Sequence, residues 1–347
     1  MLARCKLVRP KSATNLVETL TEMLVAPALM HELPCLQSKT ISTTKATPNV
    51  SICTQTGNSV KKSVNEVQQS DEASTSAIAK EDRLRDLFRE LGSVIVAYSG
   101  GVDSSYVAYV ANSELGVKAL CLTGESASLP AYQGAEIDRV VKEFGFHHER
   151  IQTQELENPA YRANNGNRCY FCKDELYTKL ESLAVSRGVA SIVDGSTVDD
   201  LDDYRPGRQA AKEHAVRSPL IEVGLTKAEV RELSKRVNLP TWDKPASPCL
   251  SSRIAYGTTV TIERLAKVDR GEEILREFGF IEFRVRHHDS LVRLEIAAAE
   301  MDRALRRDVI DELAARFREL GFKYVTLDLQ GYRSGSMNEA LPPSKTK

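Results

Sequence analysis

From residue 80 onward the apolar positions switch repeatedly between the spacing of a helix face and the unbroken run of a buried strand. "KEDRLRDLFRELG" carries apolar residues at helical intervals and closes at Gly92, and "SVIVAY" follows as a buried strand. "SSYVAYVANSELG" continues as a helix, "VKALCLT" as a second strand, and a helix over 133–144 precedes "HHERIQT". A longer helix follows Cys169, and "ASIVDG" is another apolar strand. Apolar strands alternating with helices predict an α/β fold with a doubly wound parallel sheet, in which ligands bind at the carboxyl ends of the strands.

After Gly257 the pattern changes. "TIERLAKVDRGEEILREFG" is a helix, and "EFRVRHH" and "LVRLEIA" alternate as two strands around Asp289-Ser290. "RDVIDELAARFRELG" is a helix and "KYVTLDLQ" a last strand, which together predict a smaller C-terminal α+β domain with helices on one face of an antiparallel sheet. The expected boundaries are a disordered leader or extension over 1–80, a nucleotide domain over 81–257, the α+β substrate domain over 258–337 and a disordered tail over 338–347. In the leader, Gln37 to Ser76 is dominated by polar residues with no sustained period. "MLVAPALM" is too short and too interrupted for a signal peptide, while Arg4, Lys6, Arg9 and Lys11 permit a transit-peptide reading beside that of a dispensable extension. Cys5, Cys35 and Cys53 fall in this leader and are given no role.

Composition adjusts this picture only slightly. A formal net charge of −1 over 347 residues argues against a large nucleic-acid footprint, and no apolar run reaches bilayer length. Seven cysteines in such a chain do not form a secreted disulfide framework, so a reducing, cytoplasmic setting is expected. Cys121 lies in an apolar strand and is assigned to the core. His287 and His288 are expected to be solvated at the hairpin turn, and Trp242 to be a packing residue.

The candidate chemistry begins at "AYSGGVDSS", from Ala97, on the first strand-to-helix junction. Glycines allow positive φ and close ligand approach, and the free N–H groups opening the next helix favour an anion. Ser99 and Ser104 add hydroxyls, and Asp103 either caps the helix or holds Mg²⁺ against phosphate. The P-loop and dinucleotide spacings are both absent. A tight turn with an Asp cap is the bland alternative to a phosphate cradle.

The whole string resembles the pyrophosphate loop of the N-type ATP pyrophosphatases, a superfamily that includes GMP synthetase, NAD synthetase and tRNA thiolases. That resemblance implies ATP cleavage between the α and β phosphates, with Ser99, Gly100, Gly101, Asp103 and Ser104 around the departing pyrophosphate and Mg²⁺ as cofactor. Four further stretches narrow it: "DGSTVDDLDDYRPGRQAAKE" from Asp194, "KPASPCLSSRIAYG" from Lys244, "RVRHHDSLVRLEI" from Arg284 and "DLQGYRSGSMNE" from Asp328. Together they resemble the LarE family, ATP-dependent sulfur transferases that adenylate a carboxylate of pyridinium-3,5-biscarboxylic acid mononucleotide and replace it with a thiocarboxylate in nickel-pincer cofactor biosynthesis. The likeness covers roughly residues 80 to 340.

In the best-known form of that family one cysteine surrenders its sulfur and becomes dehydroalanine, and Cys249 occupies that position. "NRCYFCK" adds Cys169 and Cys172, which is similar to a three-cysteine subtype whose thiolates hold a 4Fe–4S cluster with one iron left open. The C-x-x-C pair opens a predicted helix, whose dipole would lower the thiol pKa. A redox disulfide or half of a zinc site remain alternatives. On the substrate side, the resemblance points to Arg253, Arg286, Glu295 and Arg333, and Arg284 shares a strand face with Arg286 because Phe283 and Val285 take the other. Asp199, Asp200 and Arg208 are candidates to border the nucleotide. Solvated ion pairs are the alternative for each of these. The implied partner is a nicotinate-derived mononucleotide, and a homo-oligomer is expected; a membrane or nucleic acid is not. A tRNA thiolase, a non-catalytic nucleotide-binding regulator and an amidating ligase are the competing functions.

Overall fold

The structure is a computed structural model that describes residues 76–201, 205–333 and 335–340. Residues 1–75 of the expected leader and 341–347 of the expected tail lie outside the described residues, while 76–80, expected in the disordered leader, are helical because the amphipathic pattern of the first helix begins there. A helix over 76–91 (α1) leads into β1 (Val94–Ala97) and α2 (Val102–Leu115). β2 (Ala119–Glu125), α3 (Ala131–Phe144) and β3 (His148–Gln152) follow, then two further helices, α4 (Pro159–Arg162) and α5 (Arg168–Arg187), ahead of β4 (Ser191–Val193). The four strands form a wholly parallel sheet in the order β3-β2-β1-β4. Three more helices, α6 (Pro206–Glu213), α7 (Pro219–Glu222) and α8 (Lys227–Arg236), complete this part.

Strand alternation sends successive β1 residues to opposite faces. Val94, Val96 and Tyr98 join Leu84 and Phe88 of α1, Tyr106 and Val110 of α2 and Val230 and Leu233 of α8 in one core. Ile95 and Ala97 join Tyr177 and Leu180 of α5 and Ala210 and Ala211 of α6 in the other. Both faces are therefore covered, as the doubly wound class requires. The chain runs outward through β2 and β3 and then returns past β1 to β4. The carboxyl ends of β1 and β4 consequently flank the switch point where such sheets bind ligands. Among the described residues no helix is long and apolar enough to cross a membrane.

The second layer is built from α9 (Ile262–Glu277), β5 (Phe283–His288), β6 (Leu291–Ile296), α10 (Met301–Ala304), α11 (Arg307–Glu319) and β7 (Tyr324–Leu327). β5 and β6 are an antiparallel hairpin, but β7 joins β6 in parallel, so the sheet is mixed and not purely antiparallel as the sequence pattern predicts. The helices between β6 and β7 act as a crossover that returns the chain to the end where β6 began. Val285, Val292, Leu294 and Ile296 pack on Leu313 and Phe317 of α11, which leaves the other face of the hairpin to its charged residues. His287 belongs to the packed face. It is buried with its ring edge-on to Phe322, because only Asp289 and Ser290 form the turn, and the expectation of a solvated His287 is corrected.

Candidate active site

The glycine turn sits at the carboxyl end of β1. Gly100 has φ +70°, and a Cβ there would lie 2.4 Å from Ile137 Cγ1, so glycine is required both by conformation and by α3 packed beneath it. The Ser99 and Ser104 hydroxyls meet at 3.0 Å, and Ser104 Oγ donates to Gly101 O at 3.2 Å. No side chain caps α2, so its opening N–H groups stay free for an anion. Gly195, just past β4, closes the other side. A Cβ at that position would stand 2.7 Å from Ser104 N. Asp103 is half-buried, and its carboxyl is pushed up to about 6 by burial and then by Asp200, against Lys227, Arg231 and Arg205. Asp200 is itself buried and pairs with Lys227 at 2.7 Å; Asp199 accepts from Lys227 N at 2.8 Å, and Arg208 donates to Asp200 O at 2.9 Å.

The segment from Lys244 to Arg253 passes over this edge of the sheet. Lys244 Nζ lies 3.4 Å from Gly100 O and pairs with Glu136. Gln133 bridges the two elements, donating to Ser99 O at 2.6 Å and accepting from Ser247 Oγ at 3.2 Å. Leu250 N donates to Ser128 O at 2.9 Å, beyond the carboxyl end of β2. Cys249, half-buried, is thus held on the same side of the sheet as the Ser99 turn.

Behind Cys249 lies a knot of buried hydroxyls. Tyr161 OH meets Ser251 Oγ at 2.6 Å and Ser128 Oγ at 2.8 Å. Arg168, the first residue of α5, donates to Ser251 O at 2.8 Å and to Asn164, which in turn donates to three carbonyls between Ile254 and Thr258. These bonds bring the Cys249 segment against the start of α5, close enough that Cys249 helps push up the Cys169 thiol, and Cys249 and Cys169 that of Cys172. All three are free. The helix-dipole expectation fails here. Cys169 has an exposed edge, yet it and Cys172 sit in a recess whose walls desolvate them, so both thiols are pushed up, against the pull of Arg168 and Lys173. Cys121 is buried in β2 and also pushed up, as its core assignment implies.

The charged face of the β5–β6 hairpin adjoins the same segment. Arg284 pairs in register with Glu295, and Arg286 with Arg293. Arg286 donates to Glu295 at 2.8 Å, Ser336 Oγ at 2.9 Å and Ser252 O at 3.2 Å. Arg293 reaches the other Glu295 oxygen at 2.9 Å, and Asp328 ties Arg293 to Arg333 at 3.6 and 3.9 Å. Four buried nitrogens among the described residues have no hydrogen-bond partner: Arg286 Nε, His288 Nε2, Arg293 Nε and Arg333 Nη1. Three belong to this face, and Arg333 follows β7 and is tied to it through Asp328. Burial and then the neighbouring Arg293 and Arg286 push the His288 imidazole down; it is half-buried, and the expectation of a solvated His288 is corrected. Arginine nitrogens left without a hydrogen bond, two of them with only a distant Asp328, are what a phosphate or carboxylate would satisfy.

Arg253 and Arg284 are placed differently. Arg253 is 1% exposed and donates to Glu272 at 2.8 Å and to the carbonyls of Pro248 and Cys249, clamping the segment from behind. Arg284 donates to Ala246 O and stacks 4.7 Å from the Tyr332 ring, with its charge disfavoured by burial and by Arg253. Sequence reasoning missed Gln133, Ser128, Tyr161 and Arg168. Each acts through partners far off in the chain, and an isolated Gln or Tyr carries no motif. The Lys244–Cys249 string was the one available signal.

No family model matches the chain. It is 46% identical over 263 residues to an uncharacterized protein of Synechocystis sp., covering 76% of this chain and 98% of that relative. It is 36% identical over 256 residues to the pyridinium-3,5-bisthiocarboxylic acid mononucleotide synthase of Lactiplantibacillus plantarum, covering 73% and 91%. A probable tRNA sulfurtransferase of Methanobrevibacter smithii is 24% identical over 196 residues, covering 53% and 50%.

Proposed function

Since the chain belongs to the sulfurtransferase family that contains pyridinium-3,5-bisthiocarboxylic acid mononucleotide synthase, we propose that it adenylates a carboxylate of pyridinium-3,5-biscarboxylic acid mononucleotide and converts it to a thiocarboxylate for the nickel-pincer cofactor. One observation carries the reading: Gln133 and Ser247 tie the Cys249 segment to the Ser99 turn, so a sulfur nucleophile and an anion cradle share one edge of the sheet. The nitrogens of Arg286, His288, Arg293 and Arg333 that lack a hydrogen bond support a phosphorylated substrate on the facing sheet.

In this scheme a substrate carboxylate oxygen attacks the α-phosphorus of ATP and the α–β bridging bond breaks. Pyrophosphate leaves into the turn formed by Ser99, Gly100, Gly101 and Ser104, where free amides and hydroxyls receive its charge. Asp103 would hold the Mg²⁺ that neutralises the leaving phosphates. A recess of ≈ 500 Å³ between β2 and α3, lined by Ser126, Pro130, Gly134 and Arg150, would take the adenosine in this scheme. Cys249 sulfur then attacks the acyl carbon and AMP departs with the bridging oxygen. When that sulfur is itself the donor, the Cys249 Cα proton is removed and the Cβ–S bond breaks, leaving dehydroalanine and the thiocarboxylate.

The three-cysteine subtype is the other form of the same proposal. The thiols are free and mutually close, yet among the described residues no three ligands are arranged for a single metal ion. In general three thiolates can hold an iron–sulfur cluster with one iron left open, whereas structural zinc favours four ligands. Cys169, Cys172 and Cys249 would hold the cluster, and its open iron would supply a sulfide. Anaerobic purification with iron and sulfide assay separates the forms. Iron near four per chain supports the cluster, and an iron-free protein that thiolates once with loss of Cys249 sulfur supports the sacrificial donor. A tRNA thiolase is the second reading, supported by the Methanobrevibacter relative. Tight tRNA binding that falls steeply with salt, without any reaction of the pyridinium mononucleotide, would favour it.

A further inference from the structure

Gly100 and Gly101 carry the first amides of the cradle, and each amide has a definite aim. Among the described residues neither Gly100 N nor Gly101 N has an acceptor, although Gly100 is buried. No peptide bond among these residues is cis, so each N–H points opposite to the carbonyl of the residue before it. Whatever grips Ser99 O therefore aims Gly100 N–H, and whatever grips Gly100 O aims Gly101 N–H. Gln133 Nε2 donates to the first at 2.6 Å, and Lys244 Nζ donates to the second at 3.4 Å. Because Gln133 lies on α3, the Gly100 amide is turned away from that helix.

Gln133 is 6% exposed, and its carboxamide has one workable orientation. Ser99 O cannot donate, so Nε2 must face it, and Oε1 is left to accept from Ser247 Oγ at 3.2 Å. Glu136, one turn further along the same face of α3, pairs with Lys244. Lys244 and Ser247 both belong to the segment that carries Cys249. If this segment lifted, Gly100 O would lose Lys244 and Gln133 would lose the hydroxyl that fixes its amide. We propose that Gln133 is a positioning residue that aims the Gly100 amide into the cradle and makes that aim depend on the seating of the Cys249 segment. Filling the cradle and seating the thiol segment then reinforce each other, since a coupling between two sites acts equally in both directions. The inference rests on the reading that the Ser99 turn receives pyrophosphate, and its test separates the two.

The full chain with its thiols free is titrated with magnesium pyrophosphate in a calorimeter. Alkylation of Cys249 by uncharged iodoacetamide is followed by peptide mass spectrometry without pyrophosphate and at saturation. In the wild-type chain, bound pyrophosphate is expected to slow Cys249 alkylation about fivefold or more. Gln133→Met is expected to weaken pyrophosphate binding about tenfold and to abolish the slowing even at saturation. Ser247→Ala, at an exposed position, is expected to weaken binding about threefold, and the double variant to bind no more weakly than Gln133→Met alone, because Ser247 acts through Gln133. Cys121 reports folding, since it stays unreactive only while β2 is buried. Full slowing in a folded Gln133→Met variant would show pyrophosphate acting on the thiol directly and would overturn the proposal, as would independent losses that multiply in the double variant. Should Gln133→Met unfold, Ser247→Ala decides alone, and unchanged affinity with unchanged slowing overturns the proposal. A wild-type chain that binds no pyrophosphate refutes the reading of the turn and the proposal with it, whereas binding without slowing refutes the proposal only.

Discussion

At the scale of single residues, the site is built from groups held in states they would not choose in water. Asp103 is the clearest. Its carboxyl is raised from an ordinary 3.8 to about 6 by burial and Asp200, so the ionised form costs stability wherever pH is above about 6, and that cost disappears below the ordinary value. Asp103→Asn is therefore expected to stabilise the ligand-free protein by about 1–2 kcal/mol at pH 8, allowing for partial exposure, with the gain fading toward pH 4. Thermal melts across that range check the sign. The same variant loses a ligand for Mg²⁺ and is expected to lower pyrophosphate release on the order of hundredfold. Arg286→Gln removes one arm of the unpaired-donor face. It is expected to raise KM for the phosphorylated mononucleotide about tenfold or more while leaving its dephosphorylated analogue unaffected, and equal losses on both substrates would refute the phosphate assignment. Much of this scale was legible in the sequence. The "SGGVDSS" string located a turn that needs φ +70° at Gly100, and strand alternation put Arg284 and Arg286 on one face. Gln133 was not, because its grip on Ser99 and Ser247 is a fact about space and not about order along the chain.

At the scale of elements, the decisive piece is the irregular segment from Lys244 to Arg253. It belongs to neither sheet, yet it touches the Ser99 turn through Gln133, β5 through Arg284 and Arg286, and α5 through Arg168. Its seat is the knot of Tyr161, Ser128 and Ser251. Tyr161→Phe leaves two buried hydroxyls short of a partner and is expected to cost about 1–2 kcal/mol in urea unfolding. Because the knot lies behind Cys249 and away from Gly100, sulfur transfer should slow while pyrophosphate release holds; parallel loss of both would mean the knot only maintains the fold. Helices and strands of regular period were read correctly from their apolar spacing. The parallel placement of β7 was not, since strand direction depends on the crossover through α11 and not on the alternation within "KYVTLDLQ". His287 was misjudged for a related reason. The hairpin extends to its last two residues, so a position that looks like turn in the sequence takes the packed face.

At the scale of the whole molecule, a parallel sheet presents the proposed anion cradle, a small mixed sheet presents paired arginines that keep spare donors, and one segment carries a thiol between them. The division of labour is the central claim: the turn at Ser99 splits ATP, and Cys249 delivers sulfur to the carbonyl thus activated. The direct test is a single-turnover reaction of Cys249→Ala beside the wild-type chain, anaerobic, with Mg–ATP and pyridinium-3,5-biscarboxylic acid mononucleotide, following pyrophosphate and thiocarboxylate in the same sample. The account predicts pyrophosphate release within about threefold of wild type and no thiocarboxylate from the variant. Thiocarboxylate formed without Cys249, or pyrophosphate lost along with it, would contradict that claim.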